Sequence, residues 1–365
     1  MNSGYDLVVI GGGPAGTAAA ITCALEGAQV LLLERGRFPR HKVCGEFVSA
    51  ESLSILARLL GAQTCLLRDA ITIPRGRVFI DNRVLDISID PPALSIARFD
   101  LDHALLQCAE AAGVKVIQAA ADRIHGDSPF HIESSVGDFI ATAVVDASGR
   151  WSNLKSSGRS NGDGRTKWIG VKSHFVEKSP ARSVDLYFFD GGYCGVQPVT
   201  VVGNRYAGHV NACAMVKADV ATTLAEVLQL HPALAERSRH WQPVMEPIAV
   251  APLVFAEPRP VRDHILCVGD AACFVDPFIG DGISLALRSG VLAGQCLVPS
   301  FRQSVSLHDA TNQYNDRYQR ELAPVFRSSS KLRKLLQLPA MVRKSAVSVL
   351  SRFPAAGRYM VRKTR

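Results

Sequence analysis

The chain has 365 residues, 47% of them hydrophobic and 20% charged, which fits a globular protein of about two domains and excludes disordered and collagenous classes. Its nine cysteines contain no C-x-x-C pair, so the sequence predicts a reducing, cytoplasmic setting, no disulfide framework, and neither a structural zinc nor any other metal site. No uncharged apolar run reaches the roughly 18 residues of a spanning helix, and the net charge of +8 belongs to the tail rather than the body.

Tyr5 to Ile10 is a short β-branched run that reads as a buried strand. It begins so early that no room for a signal peptide is expected before it. Gly11, Gly13 and Gly16 then form G-x-G-x-x-G, with Pro14 and Ala15 opening an alanine-rich helix that runs to about Leu25. A second apolar strand, Gln29 to Leu33, ends at Glu34 and Arg35. Each part has a physical reason. Gly11 permits a tight turn, Gly13 a close approach to a pyrophosphate, and Gly16 helix-on-strand packing. The helix N-terminus offers free N–H groups to phosphates. A carboxylate at Glu34, 23 residues after Gly11, is placed to accept from ribose hydroxyls. The unit predicts dinucleotide binding.

Residues 36 to 52, GRFPRHKVCGEFVSAES, read as a loop, with a helix starting at Ser49 or Ala50. A loop at the carboxyl end of a parallel strand faces the cofactor crevice. Within it Cys44 and Gly45 suit close approach to a flat ring, and equally a small buried cysteine in a turn. Residues 70 to 97 alternate as strands of a separate sheet. Asp100 is the expected N-cap of a helix that ends at Gly113, its expected C′ glycine. A strand over 114–118, a hairpin over 125–139 and a strand ending at Asp146 follow.

The Ser- and Gly-rich stretch 151–166 reads as a linker. Residues 168–216 alternate like an antiparallel sheet, and Tyr193, Tyr206, His209 and Asn211 are candidates to face a pocket or a solvated surface. Residues 217–240 look helical. A strand over 265–268 returns to the nucleotide-binding part at Gly269-Asp270, and a long helix starts near Gly282. The loop between them holds Pro277 and Gly280-Asp281-Gly282-Ile283. Asp270 fits either a carboxylate orienting a cofactor hydroxyl or an N-cap of the long helix, and Asp281 either a functional or a solvated acid.

Finally, residues 331–365 carry ten Lys or Arg and no acid, so the rest of the chain has a net charge of −2. With Leu332, Leu335, Leu336, Leu338, Met341 and Val342 interleaved, this tail suits either peripheral contact with an anionic inner membrane face or packing on the body. No nucleic-acid module accompanies the charge, so no nucleic-acid partner is expected.

Four motifs occur in order: VVIGGGPAGTAAA…LLLE, IARFDLDHALL, VVDASGRWS and CVGDAACFVDPFIGDGISLALRSG. Together the chain resembles the glutathione-reductase-type FAD enzymes, within them the p-hydroxybenzoate-hydroxylase-like group, and most nearly its geranylgeranyl-reductase-like branch. FPRHKVCGE resembles that branch's Lys-x-Cys-Gly loop, with Glu46 in place of a second glycine. GDAACFVDPFIGDGIS resembles its G-D-A-A…D-P…G-E-G-I signature, with Asp281 in place of Glu. GGYCGVQPV keeps Tyr193 and Pro198 of a G-Y-G-W-x-x-P motif but departs at Cys194, Gly195 and Gln197. Aromatic hydroxylases of the group have an Asp at position 148 and a His at 273, where this chain has Ser148 and Cys273. Flavin-dependent halogenases have a W-x-W-x-I-P motif that 193–198 lacks.

The resemblance implies an α/β fold with an α+β insert. A Rossmann FAD-binding domain would take 1–69, 99–164 and 260–300, an inserted antiparallel-sheet substrate domain 70–98 and 165–259, and a basic helical C-terminal segment 301–365. It implies non-covalent FAD, held by the glycine loop, Glu34, Arg35, Cys44-Gly45, Arg98, the Ala121 backbone, Asp146, Gly269-Asp270 and Pro277 to Ile283. The N–H groups at Gly280 to Ile283 would stabilise negative charge on a reduced flavin. Cys44 is the catalytic candidate. The implied reaction is hydride transfer to a hydrophobic isoprenoid, lipid or polyketide-like substrate. A monooxygenase acting on a quinone, polyketide or aromatic ring and a non-catalytic flavin-binding protein are the alternatives. The electron donor, NAD(P)H or a partner protein, stays open.

Overall fold

The computed structural model describes residues 4–63, 65–80, 83–150, 167–200 and 208–336. Strand β1 (Tyr5–Ile10) leads through helix α1 (Pro14–Ala24) to β2 (Val30–Leu33). Next come β3 (Phe47–Val48), α2 (Leu53–Leu60), α3 (Cys65–Arg68), β4 (Ile71–Ile80), β5 (Arg83–Ser95) and α4 (Arg98–Ala111). The chain continues with β6 (Lys115–Ile117), β7 (Ala121–Gly126), β8 (Phe130–Ser134) and β9 (Phe139–Asp146). After residue 167 it forms β10 (Trp168–Val176), β11 (Ser183–Phe189), β12 (Gly192–Pro198) and β13 (His209–Lys217). Helices α5 (Leu224–Leu228) and α6 (Pro232–Ser238) precede β14 (Gln242–Pro243), β15 (Ile248–Leu253), β16 (Val261–Arg262) and β17 (Ile265–Cys267). Helices α7 (Gly282–Phe301), α8 (Leu307–Glu321) and α9 (Ala323–Leu336) close the described chain.

Two sheets result. The first runs β17-β9-β1-β2-β6 in parallel, with β16 antiparallel at one edge and the β7-β8 hairpin on β9. Its central strands are continuous apolar runs because helices cover a parallel sheet on both faces, and Val30 to Leu33 are all buried. Helix α1 is buried on nearly every side, which its alanines allow. It crosses α7 so closely that a Cβ on Gly290 would lie 2.1 Å from the Ala15 carbonyl oxygen. Helix α7 is apolar and long enough to cross a membrane, yet 72% of its apolar window is buried inside the protein, so it is a core helix.

The second sheet runs β14-β10-β13-β12-β11-β4-β5-β3, with β15 also on β10. It is antiparallel except where β11 meets β4 in parallel, the seam that joins residues 71–95 to the later strands. Phe47–Val48, read from sequence as loop, instead pairs with Leu94 and Ser95 at the edge of this sheet. Two further differences are local. Asp100 is the third residue of α4 rather than its N-cap, which is Ala97, while Gly113 does follow the C-cap with φ +91°. The 217–240 helix is two short helices, each with its own cap, Thr223 in a capping box and His231. The linker 151–166, Tyr206 and residues 337–365 lie outside the described residues.

Candidate functional site: a cofactor cavity opening onto an apolar slot

The carboxyl ends of β1, β2, β9 and β17 meet one face of the second sheet around a cavity of about 570 Å³. Gly11, at φ +106°, turns the chain out of β1, and a Cβ there would lie 2.4 Å from the Ala147 carbonyl oxygen. Gly13 is the N-cap of α1, supplies no side-chain cap, and has open space where its Cβ would be. The first N–H groups of α1 therefore face the cavity bare. Helix α7 begins in the same way, because its N-cap Asp281 makes no side-chain cap bond and Gly280, Gly282 and Ile283 line the wall.

Glu34 reaches the cavity at the end of β2, and its four acceptor positions are filled. Oε1 accepts from Gly36 N (2.7 Å) and Arg40 Nη1 (2.9 Å), and Oε2 from Gly12 N (2.7 Å) and Arg40 Nη2 (2.9 Å). A carboxylate has about four such positions, so bound ribose hydroxyls would have to take over those held by Arg40. Arg40, Lys42, Arg98 and Arg150 line the cavity, with Arg40 paired to Glu34, Arg98 to Asp102 and Arg150 to Asp270 (3.5 Å). Burial, then the charges of Arg40 and Arg98, push the Lys42 ammonium down to about 8. Arg98 is fixed by a fork to Asp102 one helical turn on (2.6 and 2.7 Å) and lies near enough to the Cys44 thiol to interact with it electrostatically.

Opposite this polar end, Val184, Leu186, Tyr193, Met215, Leu253, Phe274 and Phe278 form an apolar slot. The Tyr193 and Phe278 rings meet edge to face at 6.0 Å. Cys44 and Gly45 sit where the two parts join, and Cys44 Sγ accepts from Glu46 N (3.3 Å).

Of the residues singled out from sequence, Gly11, Gly13, Pro14, Ala15, Glu34, Arg35, Cys44, Gly45, Arg98, Ala121, Gly269, Asp270, Pro277, Gly280, Gly282, Ile283 and Tyr193 come together around this cavity. Gly16 sits behind it, where a Cβ would strike the Gly11 carbonyl oxygen. Asp146 turns away, accepting from Ser148 N (3.0 Å) and pairing with Arg262 (2.5 Å). Asp281 is buried and accepts from Ser49 Oγ (2.8 Å). His209 and Asn211 are buried, and Asn211 Nδ2 donates to the Cys44 carbonyl (3.0 Å), so it holds the loop rather than lining the pocket. Among the described residues no cluster of His, Cys, Asp and Glu could hold a metal ion.

The sequence reading passed over a buried ionic cluster beneath the Cys44 loop. Glu46 is 0% exposed and takes φ +61°, the left-handed region that favours glycine. Its carboxylate accepts from Lys172 Nζ, from Arg98 N (2.8 Å) and shares a hydrogen with His174 Nε2 (2.8 Å). Lys172 and His174 are two apart on β10, so they share a face. Cross-strand register puts His174, Asn211 and Gln197 in one row and Lys172, Cys213 and Gly195 in the next. The alternation of WIGVKSHFV was the available signal, but a charged residue at every second position reads equally well as a solvated face.

These residues fit an FAD molecule: two bare helix N-termini and several basic side chains for anionic groups, a carboxylate at a strand end, and an open wall at Gly13. Comparison with known proteins agrees. Residues 6–39 match the profile of the FAD dependent oxidoreductase family. Digeranylgeranylglycerophospholipid reductase 2 of Methanopyrus kandleri is 27% identical over 91% of this chain and 86% of its own length. The chain is an FAD-dependent oxidoreductase that resembles the geranylgeranyl-reductase-like branch. The enzyme is also similar to menaquinone reductase of Mycolicibacterium smegmatis, 27% identical over 93% of this chain and 86% of that one. Conditioned medium factor receptor 1 of Dictyostelium discoideum is 25% identical over 95% and 74% of the two chains. A geranylgeranyl bacteriochlorophyll reductase-like structure from Thermoplasma acidophilum superposes with a TM-score of 0.74 at 20% identity, covering 94% of this chain and 90% of that one.

Proposed function

We propose that the enzyme reduces a double bond or quinone-like group of a hydrophobic substrate held in the apolar slot. The observation that carries this is the continuity of the slot with the cofactor cavity, with the Cys44 thiol at the junction. Bound FAD supplies the hydride. The chain's own residues do the rest. Tyr193, Met215, Leu253 and Phe278 exclude water and orient the acceptor. The N–H groups at the start of α7, which no side chain caps, would meet negative charge on the cofactor's ring. Cys44 Sγ gives up the proton that completes the reduction, and the charge left on sulfur is met by Glu46 N–H and the Arg98 guanidinium. The named reductases of isoprenoid lipids and menaquinone support an apolar substrate class.

The test is stopped-flow reduction of the FAD-loaded enzyme by NADH and NADPH, then reoxidation under argon by prenylated alkenes and quinones. Reoxidation by such a compound without oxygen is the expected result. Reoxidation that requires oxygen and hydroxylates the compound would make the enzyme a monooxygenase instead.

A further inference from the structure

Among the described residues, three that line the cavity have a buried side-chain polar atom without a hydrogen-bond partner: Arg40 at Nε, His41 at Nδ1 and Gln197 at Oε1, of which only the last is on the sheet that carries the apolar slot. Gln197 is 1% exposed, lines the cavity, and its Oε1 makes no hydrogen bond. Its amide orientation is fixed by chemistry. Nε2 faces the Glu46 carbonyl oxygen (3.0 Å), which can only accept, and also donates to Ser95 Oγ (2.7 Å). The opposite orientation would set two carbonyl oxygens against each other. The orphan is therefore an acceptor. Leaving it unmet while buried forfeits its hydration with no return, and buried orphans of this kind call for an explanation. It sits on β12 beside Tyr193 and Gly195, on the wall that carries the apolar slot.

We propose that Gln197 is the polar recognition point of the slot, its Oε1 accepting a hydrogen bond from a hydroxyl on an otherwise apolar substrate, a phenol-, hydroquinone- or lipid-alcohol-type molecule. This deepens the reading of the slot as the substrate site and rests on it. A hydrocarbon double bond offers no donor and leaves Oε1 unpaired. A hydroxyl-bearing molecule satisfies it while its apolar part fills the slot. Gln197 is thus a specificity residue, distinct from Cys44.

The experiment uses the FAD-loaded full chain and two probes of nearly equal shape, 1-naphthol and 1-methoxynaphthalene, titrated by the change in flavin absorbance. The wild-type enzyme is expected to prefer the naphthol by about fivefold or more, the scale of one hydrogen bond. Gln197→Met, with FAD affinity within about twofold of wild type, should bind both alike. Ser95→Ala, which touches only the Nε2 side, should keep the preference. Equal binding of both probes by the wild type overturns the proposal and needs no variant to fold. A preference that survives Gln197→Met also overturns it. If a folded Gln197→Met protein loses FAD or shifts its flavin spectrum, the acceptor serves the flavin imide N–H and the proposal falls. Binding of neither probe removes the substrate-slot reading itself.

Discussion

Glu46, beneath the Cys44 loop, and Asp281, at the start of α7, are buried to the same degree, 0% and 1% exposed, yet they titrate in opposite directions. Burial raises Glu46, but the Lys172 ammonium and the His174 imidazole outweigh it and hold the carboxyl at about 2. Burial raises Asp281 too, to about 6, with the Ser49 hydroxyl too weak to reverse it. Asp276 in the same loop is raised to about 7 by burial, against an Arg333 guanidinium 3.4 Å away. One carboxylate is saturated with donors and anchors backbone. The other two keep an oxygen without a partner, Oδ2 of Asp281 and Oδ1 of Asp276, in the loop where the ring edge of a flavin would lie. In this pair of regions the saturated carboxylate anchors backbone, while the unpaired oxygens sit where a ligand would lie.

The comparison can be broken most decisively at Glu46. Glu46→Gln strips the buried Lys172 of its counter-ion, and loss of one partner from a buried pair costs about 3–5 kcal/mol. Urea unfolding should show that loss, and the double variant Glu46→Gln with Lys172→Met should recover most of it. If the single variant is as stable as wild type, the cluster is not the anchor described here.

At the nucleotide end the expected effect falls on binding, not stability. A side chain at Gly13 meets open cavity rather than protein. Gly13→Val should therefore leave the melting temperature nearly unchanged and weaken FAD binding on the order of 100-fold, about 2.7 kcal/mol. A variant that binds FAD normally would move the phosphates elsewhere.

Cys44→Ala should retain FAD and lower turnover by about tenfold or more, with the full loss of a general acid reaching roughly 10²–10⁴-fold. Unchanged turnover would leave Cys44 as a shaping residue only.

The smallest effects are in pH dependence, and their signs differ between the two regions. Glu46 has a folded pKa below its unfolded value, so its contribution is present above about 4.5 and is lost as pH falls toward 2. Asp281 is raised, so between about 4 and 6 the native state holds the proton that the unfolded state has released, and stability falls as pH rises through that window. Asp281→Asn should thus gain on the order of 1 kcal/mol over wild type at pH 7.5 and nothing at pH 4. Equal stability differences at both pH values would mean that Asp281 is not held protonated.

What could be read beforehand divides along the same line. The nucleotide end is local: Gly11 to Glu34 are contiguous, and each residue type has one physical job at its spacing. Arg98 and Asp102 likewise share a single helical turn. The support beneath the Cys44 loop is assembled from Glu46, Ser95, Lys172, His174, Gln197 and Asn211, brought together only by register across β10, β13, β12 and the β3 edge. A period of two is the same whether a face meets solvent or a cavity, so Lys172 gave no warning. Asp146 misled for the converse reason. Its motif neighbours reach the cavity, but Arg262, on the antiparallel edge strand, draws the carboxylate the other way.

The left-handed backbone at residue 46 has a consequence for how this position can change over evolutionary time. Glycine would relax the main chain there, yet it would strand an ammonium ion in the interior, so neither half of the compromise can be altered first without loss. Relatives with glycine at the equivalent of Glu46 are therefore expected to carry a neutral side chain opposite it on β10, the two positions switching as a pair.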